Sequence, residues 1–276
     1  PQGTLFGRNT SAGALNITNV APDPTEFGGF ANATYGNYNL KNLQGAVNIP
    51  VVDDKVAIRL TGAYRERDGY IDIQNAAGQK IGESNSIDQY MLRGQVGFEN
   101  EGGLEGRVIV DYSKSDNVCC AAIEVLQSGV ETAGIFGAVG LGPRGGMSGP
   151  IVATDPNDMG TAEAAAESLI ASSSQVPNPS ADQIGITGEF NYPLTDTTDL
   201  VYIGSYREYD AAEQYDSAFS GLDLFNVIPP ANGGPSGTTI DTMTHELRVQ
   251  GDAMDGALSW LVGGYYSTED IQQNQK

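Results

Sequence analysis

The stretch "KVAIRLTGAYRERDGY", beginning at Lys55, constrains this chain more than any other feature. Val56, Ile58, Leu60, Gly62 and Tyr64 fall on one parity, and Ala57, Arg59, Thr61, Ala63 and Arg65 on the other. A period of two is the mark of a β-strand, and here one face is apolar while the other is polar and charged. The pattern returns in "QYMLRGQVGFE", with Tyr90, Leu92, Gly94, Val96 and Phe98 set against Met91, Arg93, Gln95 and Glu99. It returns again in "LEGRVIVDY", where Leu104, Val108, Val110 and Tyr112 oppose Glu105, Arg107 and Asp111.

Further along, "QIGITGEFNY" places Ile184, Ile186, Phe190 and Tyr192 opposite Thr187, Glu189 and Asn191. "MTHELRVQ" sets Met243, Leu247 and Val249 against Thr244, Glu246, Arg248 and Gln250, and "LSWLVGGYY" sets Leu258, Trp260, Val262 and Tyr266 against Ser259, Gly263 and Tyr265. Two candidate strands, Phe30 to Tyr38 and Leu200 to Tyr209, mix both characters on both faces, with Val201 and Ile203 the awkward pair. Glycine on the apolar parity, at Gly45, Gly62, Gly94 and Gly188, is unfavourable for burial and has no reason visible in the sequence.

The connections between strands alternate in length. "PVVDDK" (50–55), "ENEGG" (99–103), "PLTDTTD" (193–199) and "GDAMDG" (251–256) are short turns, whereas 68–88, 116–183 and 210–241 are long and polar. In an up-and-down meander the short turns all lie at one end and the long segments at the other. Outer-membrane barrels have this asymmetry, and aromatics near strand ends (Tyr64, Tyr70, Tyr90, Phe98, Tyr112, Tyr192, Tyr206, Tyr266) would supply their interfacial girdles. A secreted β-sandwich serving as a binding or adhesion module is the alternative, because its strands alternate too.

Composition narrows the classes. Fourteen basic residues against 35 acidic ones argue against a nucleic-acid partner, since phosphate binding requires clustered Lys and Arg. No run of 18 apolar residues is present, which excludes a helical span but not a strand-built one. The long segments carry net charges of −3, −7 and −5, which is −15 of the total −21. Such a field favours a neutral or cationic ligand, or holds divalent ions that bridge to anionic lipopolysaccharide.

No catalytic constellation, cofactor motif or metal site stands up, and the chain reads as a non-enzyme. "GLGPRG" (140–145) lacks the flanking strand and helix of a dinucleotide site, and "DPNDMG" (155–160) lacks two EF-hand ligands, at Met159 and Ala166. The triplets at Asn9, Asn16 and Asn32 are chance-level glycosylation matches. His245, the single histidine, sits on the apolar parity and reads as structural. Thr161 to Ser173 is the one helical stretch, expected as a surface helix in the longest loop. Adjacent Cys119 and Cys120 lack zinc or thioredoxin spacing; at the start of that loop, facing an oxidising exterior, they are expected to pair with each other.

The opening stretch, "PQGTLFGRNTSAGALNITN", resembles the end of the plug domain of TonB-dependent outer-membrane receptors, which commonly reads G-P-Q-G-T-L-F-G-R-N-x-x-G-G-A-I-N-I. Pro1, Gln2, Gly3, Thr4, Leu5, Phe6, Gly7, Arg8, Asn9, Gly13, Ala14, Asn16 and Ile17 carry the match. Ala12, Leu15 and "NVAPDP" depart from it, the last standing where the family has a short basic hinge. The likeness continues through "YGNYNLKNLQGAVNIPVVDDKVAIRLTGAYRERDGYI" and, later, from "HELRVQG" to "LSWLVGGYY".

The resemblance implies an all-β fold: an antiparallel, up-and-down transmembrane β-barrel segment of about nine strands from a 22-stranded barrel. Residues 1–26 would end the plug and 27–276 would begin the barrel, so the chain is expected to be one piece of a longer protein. It further implies energised uptake of a scarce nutrient such as a ferric siderophore at the bacterial outer membrane. The partners would be the TonB complex, through an N-terminal box lying outside this segment, and a small-molecule ligand such as a metal chelate. A passive porin is the alternative within transport. The open sheet edges are expected near Phe30 and Trp260.

Overall fold

The computed structural model describes residues 18–75, 77–119, 121–123, 159–216, 226–227 and 237–274. Nine long strands form one sheet: β1 (Gly28–Gly36), β2 (Leu40–Val52), β3 (Val56–Arg67), β6 (Ile87–Glu99), β7 (Glu105–Ser115), β9 (Ser180–Thr195), β10 (Thr198–Ala212), β13 (Gly237–Ala253) and β14 (Leu258–Asn274). They pair in that order, each antiparallel to the next, so sequence neighbours are spatial neighbours throughout. A single sheet of this order is not a sandwich, which would divide the strands between two facing layers. Its edges are β1 and β14, where Phe30 and Trp260 lie.

Both irregular candidates hold strands in register, although the first strand ends at Gly36 and Tyr38 lies in the turn beyond it. Val201 lies between Asn191 and Arg248 on the inner face, and Ile203 between Glu189 and Glu246. They are therefore apolar steps within the polar face, and this is what blurred the β10 alternation. The inward parity elsewhere carries Asn48, Arg59, Arg93, Gln95, Arg107, Asp111 and Glu189, as the sequence pattern implies.

Short turns close the strands at one end. Asp54 (φ 56°), Gly103 (φ 77°), and Met254, Asp255 and Gly256 (φ 56°, 55° and 84°) occupy left-handed backbone in them. The opposite end holds one tight turn that the alternation in loop length did not reveal. Tyr38 and Asn39 both have positive φ (57° and 52°), and Leu40 N donates to Asn37 O at 3.2 Å. Two consecutive left-handed residues make a hairpin turn whose twist suits a β-ribbon.

The long connections at that end carry structure of their own. β4 (Ile71–Gln74), β5 (Lys80–Ser84) and β8 (Ile170–Ser172) form a small sheet in which β4 and β8 run parallel. Ile71, Ile73 and Ala171 in its strands are buried, as is Ala165 of the short helix α1 (Met159–Glu167). A two-residue ribbon, β11 (Tyr215–Asp216) with β12 (Asn226–Val227), belongs to the next connection. The two connections are joined where Ser174 N donates to Asp216 Oδ2 at 2.8 Å.

The expected helix from Thr161 to Ser173 is corrected here: it ends at Glu167, and Ile170–Ser172 is strand. Ser168 Oγ donates to Ala165 O at 2.7 Å and Leu169 turns left-handed (φ 52°), so the chain leaves the helix. Ile170 and Ala171 then bury against β4, a tertiary gain that overrides the helix propensity of this stretch.

Candidate functional site: the inner wall and its strap

The outer face fixes what the inner face is for. On β6 the outward residues from Phe98 through Val96, Gly94 and Leu92 to Tyr90 carry no charge, and the same holds from Val56 to Tyr64 on β3. Eight residues at about 3.3 Å each, tilted about 40°, span roughly 20 Å of depth, close to the apolar band of a transmembrane barrel.

Aromatic rings border this band. Phe98, Phe190, Tyr202 and His245, from β6, β9, β10 and β13, form a row with ring centroids 6.3, 6.2 and 6.0 Å apart. Toward the other end, Tyr90 and Tyr112 lie 5.8 Å apart.

Two outward glycines, Gly188 and Gly204, now have a role. The Phe190 ring lies over Gly188 and the Tyr202 ring over Gly204; a Cβ added at Gly188 would meet Phe190 at 2.9 Å, and one at Gly204 would meet Tyr202 Cζ at 3.0 Å. Rings lying over strand glycines cover backbone that would otherwise be exposed on the outer face. His245 Nδ1 lies 2.8 Å from Tyr202 Oη, which makes it a bonded structural histidine. Gly204→Ala is expected to displace the Tyr202 ring, break that bond and cost about 1–2 kcal/mol. Gly94→Ala, where the added Cβ meets only Leu60 Cδ2 at 3.7 Å, should stay within about 0.5 kcal/mol. Urea unfolding of both variants in lipid vesicles checks the contrast.

The inner wall is lined with ion pairs. Arg107 donates through Nε (3.1 Å) and Nη2 (2.6 Å) to Glu189 on the neighbouring strand. Arg248 pairs with Glu246 at 3.0 Å. Arg207 of β10 crosses β9 to reach Asp111 of β7, donating at 3.1 and 3.4 Å. It passes over Gly185, where a Cβ would sit 2.9 Å from its Nη2. Arg93 Nε, Gln95 Oε1, Asn191 Oδ1 and Arg248 Nε are buried and without hydrogen-bond partners among the described residues. A wall with such groups is suited to water or a further polar surface rather than to lipid.

Residues 19–26 run across this wall as a strap. Asn48 of β2 is 3% exposed and makes three bonds to it, accepting from Asp23 N at 2.9 Å and donating to Asp23 O (2.8 Å) and Glu26 O (2.7 Å). Gln95 of β6, 2% exposed, donates to Val20 O at 3.2 Å. Arg107 of β7 donates to Asn19 O at 3.3 Å, and Arg93 donates to Asn19 Oδ1. Asp54 N, in the turn after β2, donates to Pro24 O at 3.3 Å.

The local sequence explains the fit. Pro22 and Pro24 remove two backbone donors and fix φ, leaving Asp23 N between them as the donor that Asn48 accepts. Thr25 N and Oγ1 donate to Asp23 Oδ1 at 2.8 and 2.6 Å, and these bonds hold the Asp23 carboxyl below its usual pKa. A lowered pKa means their contribution is full at neutral pH and fades as pH falls through the folded value.

Beside the strap lies a groove of about 400 Å³, lined by Pro22, Pro24, Arg107, Glu189, Val201 and Ile203 among others. The sequence signalled the charged inward residues by parity. It gave no sign that Asn48 and Gln95, two uncharged amides, would be the most deeply buried contacts of residues 19–26. Of the other singled-out positions, 1–17, 140–145, 155–158 and Cys120 lie outside the described residues, and Cys119 lies beyond the end of β7. Asn32 is in β1.

No protein-family model matches the sequence. Among solved structures, the ferric yersiniabactin uptake receptor FyuA of Yersinia pestis superposes with a TM-score of 0.69 at 13% identity, over 98% of this chain and 35% of that one. The fold is that of one portion of that structure's β-barrel. The open form of the ferric-catecholate import receptor Fiu of E. coli K12 gives 0.63 at 12% identity, over 98% of this chain and 38% of the receptor. The siderophore receptor PiuA of Acinetobacter baumannii gives 0.57 at 12%, over 92% and 32%. The chain thus spans about a third of the length of these receptors.

Proposed function

We propose that the chain is the plug-to-barrel junction and first barrel strands of a TonB-dependent outer-membrane receptor, which takes up a scarce nutrient, a ferric siderophore being the leading class. The observation that carries this reading is the strap on the inner wall. A passive porin needs no segment bonded across its lumen face from β2, β6 and β7. Here residues 1–26 would end the plug and 27–276 would begin the barrel, with TonB engaging a box that precedes them. The likeness of fold to receptors for ferric yersiniabactin and ferric catecholates supports the substrate class.

The acidic long connections would face outward, holding divalent ions against lipopolysaccharide and repelling polyanions. Accumulation of radio-iron from a panel of ferric phenolate, catecholate and hydroxamate chelates tests the reading in cells carrying the full-length gene, with and without TonB. Energised accumulation lost on TonB deletion is expected. Equal, gradient-limited entry in both strains would favour the porin.

Within this reading Cys119 and Cys120 face an oxidising exterior. They are expected to be joined to each other, so maleimide labelling of intact cells should modify neither until reductant is added. Full labelling of both without reductant would show them to be thiols.

A further inference from the structure

We propose that residues 19–26 belong mechanically to the barrel wall rather than to the plug: when the plug is drawn from its N-terminal side, the chain yields as far as Asn19 and stops there. This inference rests on the receptor reading above and adds to it the position at which movement ends. Seven hydrogen bonds hold the strap, and their wall partners are Asn48 on β2, Asp54 in the turn after it, Arg93 and Gln95 on β6, and Arg107 on β7.

The first bonds a pulled chain would load are those at Asn19, and one of their two arginines is itself bonded within the wall. Arg107 is fixed by its two bonds to Glu189. Arg93 stands in register with Asp111, which Arg207 clamps from two strands away. Beyond Asn19, Val20, Asp23, Pro24 and Glu26 are bonded to wall residues on three further fronts, so the strap cannot leave by breaking one contact.

The packing of Pro22 on Gly97 provides the test. A Cβ at Gly97 would lie 3.4 Å from Pro22 Cβ, close to the roughly 3.5–4.5 Å that a disulfide requires. The full-length receptor in lipid bilayers is pulled from its N-terminus by force spectroscopy, as the Pro22→Cys/Gly97→Cys variant with Cys119→Ser and Cys120→Ser, oxidised and then reduced. The first yield is expected to release the same contour length in both states. The reduced protein should then show a separate, stronger event that frees eight residues, about 29 Å at about 3.6 Å each. The disulfide should shorten that second event to about 11 Å.

In a second variant, with the native Pro22 and Gly97 kept, Asn48→Ala with Arg93→Ala should merge the two events into one. Yielding of the reduced protein through residue 26 in a single event, with oxidation shortening that event by about 18 Å, would overturn the stop and leave the receptor reading standing. Extraction of barrel strands before any plug-sized release would overturn both.

Discussion

Arginine placed at Leu60 or Val110 is expected to destabilise the membrane-inserted protein by about 2–4 kcal/mol, whereas arginine at Ala63 should cost less than about 1 kcal/mol. Leu60 and Val110 are 48% and 46% exposed, and both occupy the uncharged outward band. Leu60 stands in register between Val47 and Gly94, and Val110 between Gly94 and Ile186. A guanidinium at either position has no polar neighbour on its own face and must thin the bilayer or snorkel to escape hydrocarbon.

Ala63 is three residues beyond Leu60 on the opposite parity, flanked by Gln44 and Met91 on the inner wall. There an arginine joins a surface that already carries Arg59, Arg65 and Arg93. Equilibrium urea unfolding of the full-length protein in phospholipid vesicles gives the comparison directly. Equal losses for Leu60→Arg and Ala63→Arg would mean that the two faces have been assigned wrongly.

The legible part of this fold was the part governed by local rules. Strand parity placed Arg59, Arg93, Arg107, Glu189 and Arg248 inward because one-sided burial forces alternation, although Met91 of β6 and Ile109 of β7 share that inner face. Where a strand carries apolar residues on its polar face, parity failed: Val201 and Ile203 line the same groove as Pro22 and Pro24, residues far away in sequence. Such long-range contact leaves no periodic trace. The same is true of Asn48, whose burial depends on Asp23 and Glu26 arriving from outside the sheet.

The outward glycines were readable only as an anomaly. Of those named from the sequence, Gly188 makes sense once Phe190 is seen lying over it, as Gly204 does beneath Tyr202, and ring direction is a tertiary fact. Turn chemistry was partly hidden as well. "GNYN" lacks the Asn-Gly pair that announces a tight hairpin, yet Tyr38 takes a left-handed conformation in it. Its ring packs against Tyr70 at 5.6 Å, and Asp68 N donates to Tyr38 O at 2.9 Å, so contacts from the next connection offset the backbone cost. The helix boundary failed for a related reason, because β4 offered Ile170 and Ala171 a burial that an isolated helix does not have.

Loss of the Asp111 carboxylate should be the most damaging single change on the inner wall. Asp111 is 7% exposed and accepts both bonds from Arg207, while Arg93 sits in register beside it. In Asp111→Ala the Arg207 guanidinium loses the anion that accepts both of its bonds. Breaking a fully buried pair costs about 3–5 kcal/mol, and the Arg207 side chain, 39% exposed, recovers part of that through solvent. A net loss of about 1–3 kcal/mol is expected. Arg207→Ala should cost less, because Asp111 then retains Arg93 as a neighbour. The double variant should fall short of the sum by about 1–2 kcal/mol, as coupled contacts do. Gly185→Val supplies an independent route to the same state, since its side chain would occupy the path of Arg207 across β9 and part the pair without removing either charge. Vesicle unfolding of the four proteins and the parent measures all of these terms. Additivity of Asp111→Ala and Arg207→Ala within about 0.3 kcal/mol would show that the pair contributes nothing to holding β7, β9 and β10 together.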